Sequence, residues 1–156
     1  MTPNPIFDSA TPLSTPSAAD LIGARPASGY AGDVTPPLAC QWWQSGQAVL
    51  VDVRTDAERE WVGFVPGAFA VAWKQWPGMG MNATFDEALQ AAVAPGQKVL
   101  FLCRSGVRSV AAAKRATELG LEAYNILEGF EGDPDQHGQR GRQGGWRFHS
   151  LPWRQG

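Results

Sequence analysis

The chain has 156 residues, with 13 basic against 15 acidic side chains and a formal net charge of −2. That length suits one domain, and the near-balance of charge is neither the basic footprint of a nucleic-acid binder nor an acidic tail. Two cysteines and two histidines exclude a disulfide-stapled scaffold and fit no usual zinc spacing, and the apolar runs at 48–51 and 99–103 are far too short for a membrane span.

Residues 1–29 form a compositional block of their own. It carries Pro3, Pro5, Pro12, Pro16 and Pro26, with Asp8, Asp20 and Arg25 as its only charges. No basic start leads into an apolar h-region, so it is not a secretory signal, and one arginine is too few for a transit peptide. A cytoplasmic location is therefore expected. The composition predicts a flexible or loosely docked arm ahead of a domain at 30–156. Ile6, Phe7, Leu13, Leu21 and Ile22 are apolar enough to seat in a groove.

Strand and helix signals then alternate. Thr35 with Pro36 behind it predicts a helix start, carried through Leu38 to Gln44 and stopped near Gly46. Residues 48–53 are a short buried-type strand. Thr55 caps a short helix over 56–62. Residues 69–72 are a brief strand after the Pro66-Gly67 turn. Thr84, with Glu87 three residues on, predicts a capping box for a helix through Val93. Residues 98–102 are the clearest buried strand. A helix follows from Val110 to Leu119, closed by Gly120, and residues 122–127 are another strand.

This order implies an α/β domain, a parallel sheet with helices on both faces. Ligands of such sheets bind beyond the carboxyl ends of the strands. That rule points at Asp52-Val53-Arg54 and at Cys103 onwards. Residues 128–156 differ again, with glycines, four arginines, four acids and both histidines. Trp146, Phe148, Leu151 and Trp153 predict a tail that wraps and docks. His137 and His149 read as solvated or locally hydrogen-bonded groups. The arginines Arg140, Arg142 and Arg147 are balanced by nearby acids and make no RNA patch.

The chemistry concentrates at Cys103. A buried strand ends there, and Arg104, Ser105, Gly106, Val107, Arg108 and Ser109 lead into a helix. Successive backbone N–H groups in such a loop converge into an anion-binding nest, and a helix N-terminus adds positive potential. Arg104 and Arg108 add formal charge. All favour the thiolate over the thiol, which makes Cys103 a nucleophile. Gly106 gives the loop its turn. Cys40, beside Trp42 and Trp43 on an amphipathic helix, reads as core packing or a bland surface thiol. Trp73 and Trp76 are candidates for the site entrance, although an aromatic after a strand is more often core.

These segments together resemble the rhodanese-like sulfurtransferases. Val51-Asp52-Val53-Arg54 with Glu58 resembles the family's Asp-Val-Arg…Glu segment. Residues 63–68 resemble its Gly-His-Ile-Pro-Gly-Ala turn, with Phe64 in place of histidine. Cys103 to Arg108 is similar to its active-site loop. Leu127-Glu128-Gly129-Phe130 resembles its late Gly-Gly-aromatic signature, with Glu128 in place of the first glycine. Trp146 and Leu151-Pro152-Trp153 resemble the ending of single-domain bacterial members.

The resemblance implies a rhodanese-like domain with a mostly parallel five-stranded sheet. It implies a sulfurtransferase in which Cys103 takes a sulfane sulfur from a donor such as thiosulfate. The resulting persulfide would pass that sulfur to cyanide or a thiol. Residues 104–109 would bind the substrate and the persulfide, and Asp52, Arg54 and Glu58 would support the pocket. No metal or organic cofactor is implied, and the covalent persulfide is the only intermediate. The expected partners are a small anionic sulfur donor and a thiol or cyanide acceptor, with a protein acceptor as an option; no nucleic acid or membrane is expected. The alternatives are a sulfur-relay or redox module acting on a protein partner, and a dual-specificity phosphatase of similar fold. The phosphatase reading needs Cys-x5-Arg, whereas here the spacing from Cys103 to Arg108 is Cys-x4-Arg and Ser109 stands at the position required.

Overall fold

The computed structural model describes residues 23–155. The elements run β1 (Gly32–Val34), α1 (Pro36–Gln44), β2 (Ala48–Asp52), α2 (Asp56–Trp61), β3 (Phe69–Ala70), β4 (Lys74–Gln75), β5 (Gly80–Met81), α3 (Phe85–Ala92), β6 (Lys98–Leu102), α4 (Val107–Glu118) and β7 (Glu122–Ile126). Five strands form one sheet in the order β1-β7-β6-β2-β3, and every pairing in it is parallel. β4 and β5 form a separate antiparallel pair.

Strand alternation divides the core in two, because successive side chains point to opposite faces. Leu50, Leu100, Leu102 and Ile126 pack with Leu38, Ala39 and Cys40 of α1, and with Trp146 and Leu151 of the tail. Val51, Val99, Phe101 and Ala123 pack with Phe85 and Leu89 of α3, and with Ala112, Ala113 and Ala116 of α4. The row Val99, Phe101, Cys103 therefore turns the cysteine toward α4. The alanine face of α4 lets that helix lie close to the sheet.

Trp146 and Leu151 dock the tail on the core, whereas Phe148 and Trp153 remain 47% and 36% exposed. Trp146 is fully buried and its indole N–H donates to the Pro152 carbonyl at 2.7 Å. Burying an indole of this size removes roughly 150–250 Å² from water, worth several kcal/mol. His149 reaches Glu128 at 2.9 Å, a local contact of the expected kind. The expected arm at 1–29 lies largely outside the described residues. Its last part is attached: Arg25 and Asp33 exchange backbone hydrogen bonds of 2.8 Å, and Ala24 packs on the core.

Several boundaries differ from the sequence reading. The helix after Cys103 starts at Val107, not Val110. Gly106 turns the chain at φ 116°, and nothing in Val-Arg-Ser then breaks a helix. The expected loop is thus three residues of bend, while Val107, Arg108 and Ser109 form the first helical turn. Thr84 makes no capping bond to α3. Instead its N–H and hydroxyl both donate to Asn82 Oδ1, at 3.1 and 2.9 Å, so Asn82 holds the helix entry. β3 is two exposed residues long, as suits an edge strand. β1 and the β4–β5 pair have no patterned run long enough to be read as strands.

Candidate active site

Cys103 follows the last residue of the central strand β6 and is 1% exposed. The Gly106 N–H donates to its Sγ at 3.1 Å. Gly106 is also the N-cap of α4, so the unpaired first-turn N–H groups of that helix lie at the same end. The positive pole of a three-turn helix thus stands beside the sulfur.

Sγ also lies 3.2 Å from the Ser109 hydroxyl oxygen. Ser109 donates to Asn125 Oδ1 at 2.5 Å. Asn125 Nδ2 donates to Asp33 Oδ1 at 3.0 Å, and the Tyr30 hydroxyl donates to the same oxygen at 2.7 Å. Burial, reinforced by this bond to Asp33, pushes the Tyr30 hydroxyl up to about 12, so it remains a donor. A serine hydroxyl has one proton. With that proton on Asn125, the Ser109 oxygen meets Sγ through its lone pairs. Asp33 and Asn125 were not among the residues singled out from sequence. Their signal is an amide inside the otherwise apolar stretch Ala123–Ile126.

The loop carbonyls are tied from the other side. Phe130 N–H donates to the Cys103 carbonyl at 2.7 Å and Glu131 N–H to the Arg104 carbonyl at 2.9 Å. Gly129 makes this approach possible: a Cβ there would sit 2.5 Å from the Arg104 carbonyl carbon and oxygen. The late signature therefore has a physical meaning at its second position. Glu128, at the first, adopts φ 69° and accepts from Gly145 N–H at 2.9 Å. The departure from glycine thus fastens the tail.

Asp52, Arg54 and Glu58 divide between two places. Asp52 and Arg54 are buried under the site and pair through Nη2 and Oδ2 at 2.8 Å. Arg54 Nη2 also donates to the Gly63 carbonyl at 2.7 Å, which holds the turn before Phe64. The guanidinium carbon lies 4.1 Å from the Phe130 ring centroid. Its Nη1 has no hydrogen-bond partner among the described residues. The aromatic face is a further favourable contact for this cation.

Glu58 instead lines the cavity above the loop. It receives Arg108 through two hydrogen bonds of 2.6 and 2.8 Å. It also closes a capping box with Thr55. Burial alone would raise the Glu58 pKa. The hydrogen bonds from Arg108 and Thr55 outweigh that and hold it at about 2, below its ordinary 4.5. Arg108 shifts upward in turn, through its Glu58 hydrogen bonds against the cost of burial, with further attraction from Cys103 and Asp52. Of the two arginines expected to add positive charge, Arg104 is exposed, while Arg108 is paired with Glu58.

Because the folded-state value of Glu58 is depressed, its stabilisation is complete above about 4.5 and lost as pH falls toward 2. The shift corresponds to about 1–3 kcal/mol once partial solvent screening is allowed for. Urea unfolding across that window is expected to show wild type losing stability faster than Glu58→Gln, with equal slopes above it.

The cavity has a volume of about 590 Å³ and is lined by Glu58, Arg104, Arg108 and Glu131 together with Trp61, Val62, Trp76 and Met79. Trp76 lies at the entrance. Trp73 does not: its ring packs edge-on to Phe85 at 4.8 Å. Trp61 and Met79 were missed in sequence because single exposed apolar residues on a short helix and a hairpin carry no pattern. Cys40 is fully buried in the core, and burial pushes its thiol up to about 12, so it stays protonated.

Fold and site together define a parallel α/β domain that presents one thiol at the carboxyl edge of its sheet, against a helix N-terminus. The family model for the rhodanese-like domain matches residues 37–133, and the chain belongs to that family. A crystal structure of Rv0390 from M. tuberculosis is 45% identical, with a TM-score of 0.74, and the match covers 81% of this chain and 99% of that one. An uncharacterised protein of Rickettsia conorii is 35% identical over 113 residues, 68% of this chain and 82% of its own length. The polysulfide-sulfur transferase homodimer of Wolinella succinogenes shares the fold at 19% identity and TM-score 0.54, covering 80% of this chain and 78% of its own. Among the described residues, no helix is long and apolar enough to cross a membrane.

Proposed function

We propose that the chain is a sulfurtransferase in which Cys103 carries the transferred sulfur as a persulfide. The observation that supports this most is the Gly106 N–H at 3.1 Å from Sγ, at the N-cap of α4. A donor and a helix pole fixed there stabilise a negative sulfur without reorganisation. The thiolate attacks the outer sulfur of a donor such as thiosulfate. The donor's S–S bond breaks, sulfite leaves with the electron pair, and a Cys103 persulfide anion remains. A cyanide or thiol acceptor then takes the outer sulfur and returns the thiolate.

The backbone N–H groups of residues 104–109 hold that anion, those of Val107 to Ser109 from the first turn of α4. Asp52 and Arg54 support the site from beneath. No metal or organic cofactor enters the scheme. The bend at 104–106 is too short to wrap a tetrahedral phosphate, and Arg108 is engaged by Glu58, which argues against a phosphatase. Steady-state formation of thiocyanate from thiosulfate and cyanide tests the reading. A ping-pong pattern of two successive half-reactions, giving parallel double-reciprocal lines, is expected. Absence of sulfur transfer with thiosulfate and with organic sulfane donors alike would contradict it.

A further inference from the structure

The cavity over the Cys103 loop is poorly suited to an inorganic sulfur dianion. Its four charged lining residues are Glu58, Arg104, Arg108 and Glu131, whose formal charges cancel. Arg108 is held through both Nη atoms by Glu58. Thr55 fixes Glu58 in turn, its N–H and hydroxyl both reaching Oε1 at 3.1 Å. An anion entering here must compete with a carboxylate that is already oriented. Apart from Thr55 the remaining wall is apolar, and Trp61 and Trp76 are 74% and 66% exposed. At about 590 Å³ the space matches a small organic ligand and far exceeds an oxyanion.

We propose that this mouth selects a small organic sulfur carrier with an apolar or aromatic body over an inorganic sulfur oxyanion. Trp61 and Trp76 cover the body and Glu58 disfavours the second negative charge. The inference rests on the sulfur-transfer reading above. For an organic persulfide R–S–SH, Cys103 thiolate attacks the outer sulfur. One S–S bond forms at Sγ as the donor's breaks, and R–S⁻ leaves with the electron pair. The outer sulfur keeps its proton, so no external oxidant or reductant is needed.

Three donors with the same thiosulfonyl-type sulfur separate body from charge. Thiosulfate is a dianion, methanethiosulfonate a small monoanion, and benzenethiosulfonate an aromatic monoanion. The measurement is kcat/KM for sulfur loading of Cys103, followed by intact mass, in full-length protein. In the double variant Trp61→Ala/Trp76→Ala, the benzene-over-methane ratio is expected to fall about tenfold, the equivalent of one stacked ring. In Glu58→Gln, the thiosulfate-over-methanethiosulfonate ratio is expected to rise about fivefold, since removing one nearby negative charge favours the dianion. Glutamine preserves the capping box, and both tryptophans are exposed, so the fold survives each change. Ratios within about twofold of wild type, with Cys103 still loading, would overturn the selectivity while leaving sulfur transfer intact. Failure of all three donors to load wild type would overturn the sulfur-transfer reading itself.

Discussion

Replacing Cys103 with serine is expected to abolish sulfur uptake while leaving the domain folded. The side chain is 1% exposed and sits between the Gly106 N–H and the Ser109 hydroxyl. A serine oxygen finds the same two partners, so the change keeps volume and satisfies the buried group. The expected cost in stability is below about 1.5 kcal/mol. Chemistry responds differently. A hydroxyl is far harder to ionise than a thiol, and oxygen cannot form the S–S bond. The loss in sulfur loading is expected to be about 10³-fold or greater, as for removal of other covalent nucleophiles. Equal loading of wild type and variant, with Cys40 as the acceptor, would show that the wrong cysteine is named. Burial pushes the Cys40 thiol up to about 12, so it stays protonated and the account predicts no loading there.

Asp52→Asn is expected to have the opposite profile, a large loss of stability first. Arg54 is fully buried and receives its compensation from Asp52 through Nε and Nη2, at 3.0 and 2.8 Å. One guanidinium nitrogen already lacks a hydrogen-bond partner among the described residues. Neutralising Asp52 leaves a buried cation facing the Phe130 ring and the Gly63 carbonyl. Breaking one side of such a pair costs about 3–5 kcal/mol. That is a large part of the stability of a domain this size. Chemical denaturation of both proteins at neutral pH measures it directly. Phe130 also fastens the Cys103 carbonyl, so loading of the folded fraction is expected to decline as well. A cost below about 1 kcal/mol would mean that the ion pair is dispensable to the fold.

The parts of the fold visible in sequence are those with strong periodic or capping signals. The β6 run at 98–102 and the Thr35 and Thr55 caps lie where local chemistry places them. The start of α4 was displaced because the turn depends on Gly106 adopting φ 116°, which composition alone does not position. Thr84 has the residues of a capping box, yet Asn82 competes for its N–H and hydroxyl. β1 became a strand only because β7 lies beside it. A three-residue segment has no pattern of its own.

The candidate site divides in the same way. Cys103 is legible because a buried strand, a bend and a helix start meet at one residue. The state of Arg108 is not, since its partner Glu58 is 50 positions away. That distant pairing turns an expected anion attractor into one half of an ion pair. Gly129 was legible as a motif, but its reason, contact with the Arg104 carbonyl, is tertiary. The Asn125–Asp33 contact spans 92 positions and leaves one amide in the otherwise apolar stretch Ala123–Ile126 as its trace.

Intact-protein mass spectrometry after incubation with a sulfane donor, with peptide mapping of the adduct, tests the central claim most directly. The account predicts a gain of one sulfur atom on Cys103, removed by cyanide with release of thiocyanate and absent from Cys103→Ser. An unmodified Cys103 after exposure to thiosulfate, methanethiosulfonate and benzenethiosulfonate would contradict it.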